Sequence, residues 1–385
     1  MKNPELLDLY SDYLLSSFKL ATATNMSAVL NGVVSHDKIS RFLGQRLFTQ
    51  IDYWKCIKPI VRSIEHEDGV IKIDDTYEEK PHSTENEIIC WHWDHSKNRH
   101  IKGMNILNFL YQSPLKETNR CSIPVAFEIV KKTEKYFDKK ADKVKRRSEV
   151  SKNELLRDRL RTLHQLNRVK FKYVLWDTWF SSKENFEFVH DTLKKYFIAA
   201  VKSDRPVAMS MKEKLEGKFK RVDEQDIKTN QTVTVYLRGL DFPVLLNKQI
   251  FKNKDGSHGV LYVVTNNLQL TYQAILTTYH ERWGVEDFHK SLKQNVGLEK
   301  SPTKNEITQS NHIFAAMIAW TKLELLTIKT QSNHFSLKAR LYLKAVQAAF
   351  DELQQIKLYF KKLEGTSSDF VQQIQKMQNS TLLLE

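Results

Sequence analysis

The sequence predicts an α/β protein, a mixed-sheet core flanked by helical segments, on three observations. Short apolar runs ending in acids or turn residues recur from residue 69 onward, alternating with helix-like text. Residues 1–64 and 301–385 instead carry apolar residues at helical spacing. Between 205 and 268 the alternation gives way to β-branched runs split by Gly, Asn and Asp, as a small antiparallel insert would be.

At the N-terminus, "LLDLYSDYLLSSF" has the apolar spacing of a helix. "MSAVLNGVVSHDKISRFLGQRL" reads as a helix, a turn at Gly32, Ser35 as an N-cap, and a second helix with Ile39, Phe42 and Leu43 inward and Lys38 and Arg41 outward. That outline is a helix-turn-helix that could contact DNA, although any helical hairpin looks similar. Then come three strands, "GVIKIDDT", "HIKGMNILNFLY" and "SIPVAFEIV". "FKYVLWDTWF" is a fourth buried run, "KENFEFVHDTLKKY" a helix and "FIAAVKS" a fifth strand. The insert holds "GKFKRV", "TVTVYLRGL", "FPVLLNKQIF" and "HGVLYVVTNN". The expected units are therefore 1–64, 65–204, 205–268, 269–300 and 301–385.

A chain of 385 residues with 41% hydrophobic and 28% charged residues can bury a substantial core. Its net charge of +14 points to a polyanionic partner, nucleic acid before membrane. No apolar run approaches the roughly 18 residues of a spanning helix, and the N-terminus lacks a signal-peptide pattern, so a cytoplasmic setting is expected. Cys56, Cys90 and Cys121 form no CxxC pair. "CWHWDHSKNRH" groups Cys90, His92, His95 and His100, but its spacing fits no standard zinc pattern, and a basic aromatic DNA-contact loop explains it better. From Lys131 to Lys172 there are 16 Lys and Arg against 6 Asp and Glu. A long exposed basic helix or helix pair that contacts phosphate, with Arg146 and Arg147 among its cations, is the expectation there.

The densest chemistry lies in "YHERWGVEDFHKSLK", 279–293. On a helix of about 100° per residue, Tyr279, Arg282, Glu286 and Lys293 fall within an arc of about 60°, with Lys290 beside them. Val285, Phe288, Leu292 and Val296 form a separate apolar stripe. Gly297 and Pro302 stop the helix. An ordinary salt-bridged surface helix is the plain alternative. Two acids, Asp75 and Asp177, end the apolar runs "VIKIDDT" and "YVLWDT". A single strand-end aspartate is usually a turn or cap.

The spacing Y-x2-R-x3-E-x6-K resembles the signature of DDE transposases of the insertion-sequence-four family. "DDT" at 74–76 is similar to that family's first-aspartate motif and "WDTWF" at 176–180 to its second. The resemblance spans roughly 65–300 and implies an RNase H-like core with a β-rich insert before the glutamate helix. It implies Asp75, Asp177 and Glu286 as catalytic carboxylates holding Mg²⁺, with Mn²⁺ as a substitute. Asp74 is a rival to Asp75, because adjacent strand residues point to opposite faces. The resemblance also implies that Tyr279, Arg282 and Lys293 grip DNA near the cleaved phosphate, with Lys290 auxiliary. The partner would be double-stranded DNA, bound by a homodimer, in a bacterial, nucleoid-associated setting. Relatives that cut through a hairpin are expected to stack an extruded base on an aromatic, often Trp. The seven Trp (54, 91, 93, 176, 179, 283 and 320) all lie outside the insert, where Phe219, Tyr236, Phe242 and Phe251 are the alternatives.

Overall fold

Four helices come first in the computed structural model, which describes residues 3–94, 97–114, 121–140, 142–252 and 255–364. They are α1 (Pro4–Ser16), α2 (Ala23–Val29), α3 (His36–Gly44) and α4 (Gln50–Ile64). The Ser35 hydroxyl accepts the Lys38 amide at 3.3 Å and starts α3, whose Ile39, Phe42 and Leu43 are buried. Thr49 and Asp52 form a capping box at the head of α4.

There follow β1 (Val70–Glu79), β2 (Cys90–Asp94), β3 (Arg99–Gln112), β4 (Ser122–Ile129), β5 (Glu134–Asp138) and β6 (Lys143–Arg147). After α5 (Lys152–Arg161) come β7 (Tyr173–Trp176), α6 (Lys183–Glu187), β8 (Tyr196–Val201), β9 (Pro206–Ala208), α7 (Met211–Leu215) and β10 (Lys220–Arg221). Then β11 (Thr232–Leu237), β12 (Val244–Lys252) and β13 (His258–Thr265) lead to α8 (Tyr272–His280), α9 (Gly284–Gln294), α10 (Glu306–Thr330) and α11 (His334–Glu364).

Among the described residues, eleven strands form one mixed sheet in the order β10-β9-β11-β12-β13-β8-β7-β1-β3-β2, with β4 also on β3. β1 pairs antiparallel with β3 and parallel with β7, and β7 pairs parallel with β8. Strands from the 205–268 stretch are antiparallel and hydrogen-bond onto the core sheet where β13 meets β8. On one face Val70, Tyr173, Leu175, Ile198 and Val263 pack against Ile275, Leu276 and Tyr279 of α8. Each fully buried aliphatic side chain there contributes about 1.5–3 kcal/mol, and the cluster fixes where the following helix begins.

Three local expectations are corrected. The basic stretch from 131 opens as the two-stranded ribbon β5–β6, and a helix begins only after Ser151. Strand period explains this: Lys145 pairs with Asp138 and Arg147 with Glu134 across the ribbon. The "CWHWD" segment is an edge strand, β2, with Cys90, His92 and Asp94 buried and the two Trp between them outward. The Cys90 thiol donates to the Asn86 carbonyl at 2.9 Å, and His95 lies outside the described residues. Lastly, the signature helix is divided: a 3₁₀ turn at Glu281–Trp283 separates α8 from α9.

Helix α10 binds the N-terminal helices to the core. Asn311 accepts the Phe48 amide at 2.7 Å and donates to the carbonyls of Leu43 and Arg46. His312 meets the Tyr10 hydroxyl at 2.9 Å and the Gly297 carbonyl at 3.0 Å. Gly297 has φ +70°, a conformation that favours glycine, and it turns the chain after α9. Residues through Gln331 make one compact unit, and a second begins at Ser332. The second unit's α11 exposes Leu343, Val346, Phe350 and Leu353. Among the described residues, no helix is long and apolar enough to cross a membrane.

Candidate active site and nucleic-acid cleft

The site begins as a mismatch in strand length. β7 stays level with β1 only as far as the pairing of Leu175 with Lys72, and β7 ends at Trp176. β1 runs on, so Asp74 and Asp75 project where their parallel neighbour has stopped. Asp177 follows β7 directly and caps a 3₁₀ turn, accepting the Trp179 amide at 2.9 Å. All three aspartates line a cleft of about 1730 Å³.

Alternation along β1 sends the two neighbouring aspartates to opposite faces. Lys72 and Asp74 face α9: a Cβ placed on Gly284 would lie 2.6 Å from the Lys72 ammonium. Arg282 reaches Asp74 Oδ2 at 3.3 Å through Nη1 and Glu286 Oε1 at 3.2 Å through Nη2. Its guanidinium also lies 5.8 Å from the Tyr279 ring centroid. Asp75 instead receives the Asn105 side-chain amide and the Lys152 ammonium, the latter at 3.1 Å.

The structure therefore joins Asp74, Arg282 and Glu286, and it places all three aspartates on the wall of one cleft. Among the described residues no three His, Cys, Asp or Glu side chains form a group that could hold a metal ion. Burial, and after it the charge of Asp177, push the Asp74 carboxyl up to about 7, with Arg282 acting against both. Burial also raises Asp177, against the hydrogen bond from the Trp179 backbone.

Tyr279 is 4% exposed, in the core beneath the sheet, while Glu286 has a side chain 62% exposed. Lys293 donates to the Tyr77 carbonyl at 2.6 Å, and Lys290 is exposed. Arg146 lies 3.9 Å from Glu85, and Arg147 pairs with Glu134. Sequence reasoning missed Lys152, Asn105 and Trp179. "SKNE" at 151–154, a capping box, was the available signal that Lys152 opens a helix. Trp91, Trp93 and Trp179 line the cleft beside the aspartates, 52%, 39% and 51% exposed, while Trp283, 56% exposed, lies outside it.

Glu78, buried at the far end of β1, offers a pH test. Burial pushes its carboxyl up to about 7, with Lys80 3.0 Å away opposing and Glu299 adding repulsion. A carboxyl whose folded pKa exceeds its unfolded value binds more protons when folded, so stability falls as pH rises from about 4.5 through about 7. The melting temperature is expected to drop over that window, and Glu78→Gln to shrink the drop. An equal drop in the variant would assign the slope elsewhere, Asp74 first.

No curated protein matches the chain. Residues 144–322, a stretch that holds Asp177, Glu286 and the whole Tyr279–Lys293 spacing but begins after β1, match the family model of the transposase DDE domain, which supports a DDE transposase.

Proposed function

We propose that the chain is a transposase of the insertion-sequence-four type that cleaves the ends of a DNA element and joins the freed 3′-OH to target DNA. The observation that carries this reading is the meeting of Asp74, Asp75 and Asp177 at a strand gap, with Arg282 linking Asp74 to Glu286. The strand order β4-β3-β1-β7-β8, with β1, β7 and β8 parallel, supports an RNase H-like core.

Asp75, Asp177 and Glu286 would hold Mg²⁺, or Mn²⁺ in its place. The donors are hard oxygens of the kind Mg²⁺ prefers, but in the DNA-free protein Asp75 pairs with Lys152, and Glu286 shares the Arg282 fork with Asp74 rather than with Asp75, so the three do not converge. Bound divalent ions supply a polarised phosphodiester and an activated water or 3′-OH. The protein's own residues do the rest. Arg282 presents a planar fork that suits phosphate, and in the DNA-free protein Asp74 and Glu286 occupy it. An arriving phosphate competes for that fork and releases Glu286. Tyr279 supports the guanidinium from the core, and Lys290 and Lys293 extend the cationic row along α9.

Two assays test the reading. Mg²⁺-dependent nicking of supercoiled plasmid carrying the element's ends separates an enzyme from a helix-turn-helix binding protein whose acids are structural. Joining of a 3′-OH oligonucleotide to plasmid separates a transposase from a nuclease on the same core. DNA binding is also expected to be strongly salt-dependent. Neutralising Lys145, Arg146 and Arg147 together should flatten the log K against log[salt] slope by up to about 0.9 for each phosphate they neutralise in the wild type. An unchanged slope would make these three a self-paired surface.

A further inference from the structure

The two faces of the β5–β6 ribbon differ in a way that the carboxylate chemistry does not require. Between Glu134 and Arg147 there are seven Lys and Arg against three Asp and Glu. The pairing register sets Tyr136 opposite Lys145 and Phe137 opposite Val144. Because strand residues alternate between faces, Glu134, Tyr136, Asp138, Lys143, Lys145 and Arg147 share one side. That side is self-neutralising: Lys145 pairs with Asp138, Arg147 pairs with Glu134, and the Arg147 guanidinium lies 5.7 Å from the Tyr136 ring centroid. The other side holds Lys135, Phe137, Val144 and Arg146 and no acid of its own, although Arg146 is mostly buried and lies 3.9 Å from Glu85. Phe137 is 58% exposed and Val144 63%, an aromatic and a β-branched side chain directly abreast with cations on either side. Lys139 and Lys140, at the turn, are exposed too.

We propose that this acid-free face is a wedge: Phe137 and Val144 pack into the minor groove of duplex DNA and bend it, while the flanking cations hold the phosphates. Charge complementarity selects the occupant, since an apolar pair ringed by lysine and arginine matches the floor and rims of that groove. Partial insertion of an apolar side chain between base steps unstacks them and kinks the duplex. Residues of both sides of the ribbon, Tyr136, Lys143 and Lys145 as well as Val144 and Arg146, line the cleft that holds Asp75 and Asp177, so a bend at the ribbon would lie beside the carboxylates. The proposal rests on the DNA-acting reading above.

The test is an end-labelled duplex whose end-to-end distance is read by energy transfer, alongside titrations of affinity at two salt concentrations. In Phe137→Thr/Val144→Thr the threonines keep a β-branched cross-strand pair, so the ribbon is preserved. Most of the bend should disappear and affinity fall roughly tenfold, one decade being about 1.4 kcal/mol, with the salt slope unchanged. Val144→Thr alone, nearly isosteric, should lose part of the bend, and Tyr136→Thr on the opposite face should keep it. A wild-type bend in the double variant overturns the wedge. So does a fall in the mass of the DNA-free protein on making the double variant, which would assign this face to a second copy of the chain. Wild-type protein that binds duplex without bending it sinks the wedge alone; wild-type protein that binds no duplex sinks the DNA-acting reading as well.

Discussion

Glu286→Gln is expected to abolish most DNA cleavage, by at least about a hundredfold, while leaving DNA binding intact or slightly tighter. The substitution keeps the shape of the side chain and removes one negative charge from a surface that must approach phosphate. Losing a ligand to the reacting centre costs the chemical step several kcal/mol, and each 1.36 kcal/mol is about tenfold in rate. Folding should hardly notice. The pair with Arg282 is an i,i+4 contact whose glutamate side chain is 62% exposed, and exposed pairs of that kind contribute about 0–1 kcal/mol. Arg282→Ala should behave differently. Arg282 is 9% exposed and is the guanidinium set against the mostly buried Asp74. Its removal deletes a buried partner and lets the pKa of the Asp74 carboxyl rise further, so that it takes a proton. It also deletes a phosphate partner, so both melting temperature and DNA affinity should fall. Gel shifts, nicking assays and thermal melts on the two variants make the comparison. Wild-type cleavage by Glu286→Gln would reduce this helix to a salt-bridged surface and remove the main support for a transposase.

The second large effect distinguishes two neighbouring aspartates. Asp75→Ala is expected to abolish Mg²⁺-dependent nicking, whereas Asp74→Ala should leave measurable activity with weaker DNA binding. Asp75 lies on the face of β1 opposite Asp74, held by Asn105 and by Lys152. Lys152 lies 4.7 Å from the Trp179 ring centroid, so it can shift between carboxylate and DNA without leaving its aromatic support. Asp74 is committed to Arg282 and acts by positioning it. The opposite outcome would move the essential carboxylate to the face of β1 that carries Glu286.

These sites were unequally legible in the sequence. Asp177 could be found because "YVLW" is an uninterrupted apolar run that has to stop somewhere, and an acid marks the stop. Glu286 could be found because a 3.6-residue period separates its arc from the Val285, Phe288 and Leu292 stripe, all three of which are buried. Helical arithmetic gave no warning that Tyr279 and Arg282 would be buried, since that depends on the sheet beneath α8 and not on their own helix. The ribbon was hidden by its charge. Seven cations in fourteen residues look like a solvated helix until each acid is matched to the cation that faces it across the hairpin. The outward Trp91 and Trp93 look like part of a loop for a similar reason: a strand only five residues long, with aromatics on its wet side, carries little alternation to detect.

The long reach of α10 has a consequence for the order in which the molecule can assemble. Phe48 waits for Asn311, 263 residues later, and Tyr10 for His312, 302 residues later. Contacts so distant in the chain form slowly, because a large loop must close before they contribute. During synthesis α4 can settle on β4 through Tyr53 and the Pro124 carbonyl, whereas Tyr10 and the Leu43 and Arg46 carbonyls wait until α10 has been made. The same late segment ties down Gly297 just beyond α9. Nascent chains should fix α1, α3 and the end of α9 in a single late step, so a product truncated before residue 306 would carry Asp74, Asp75, Asp177 and Glu286 on a scaffold that had not closed.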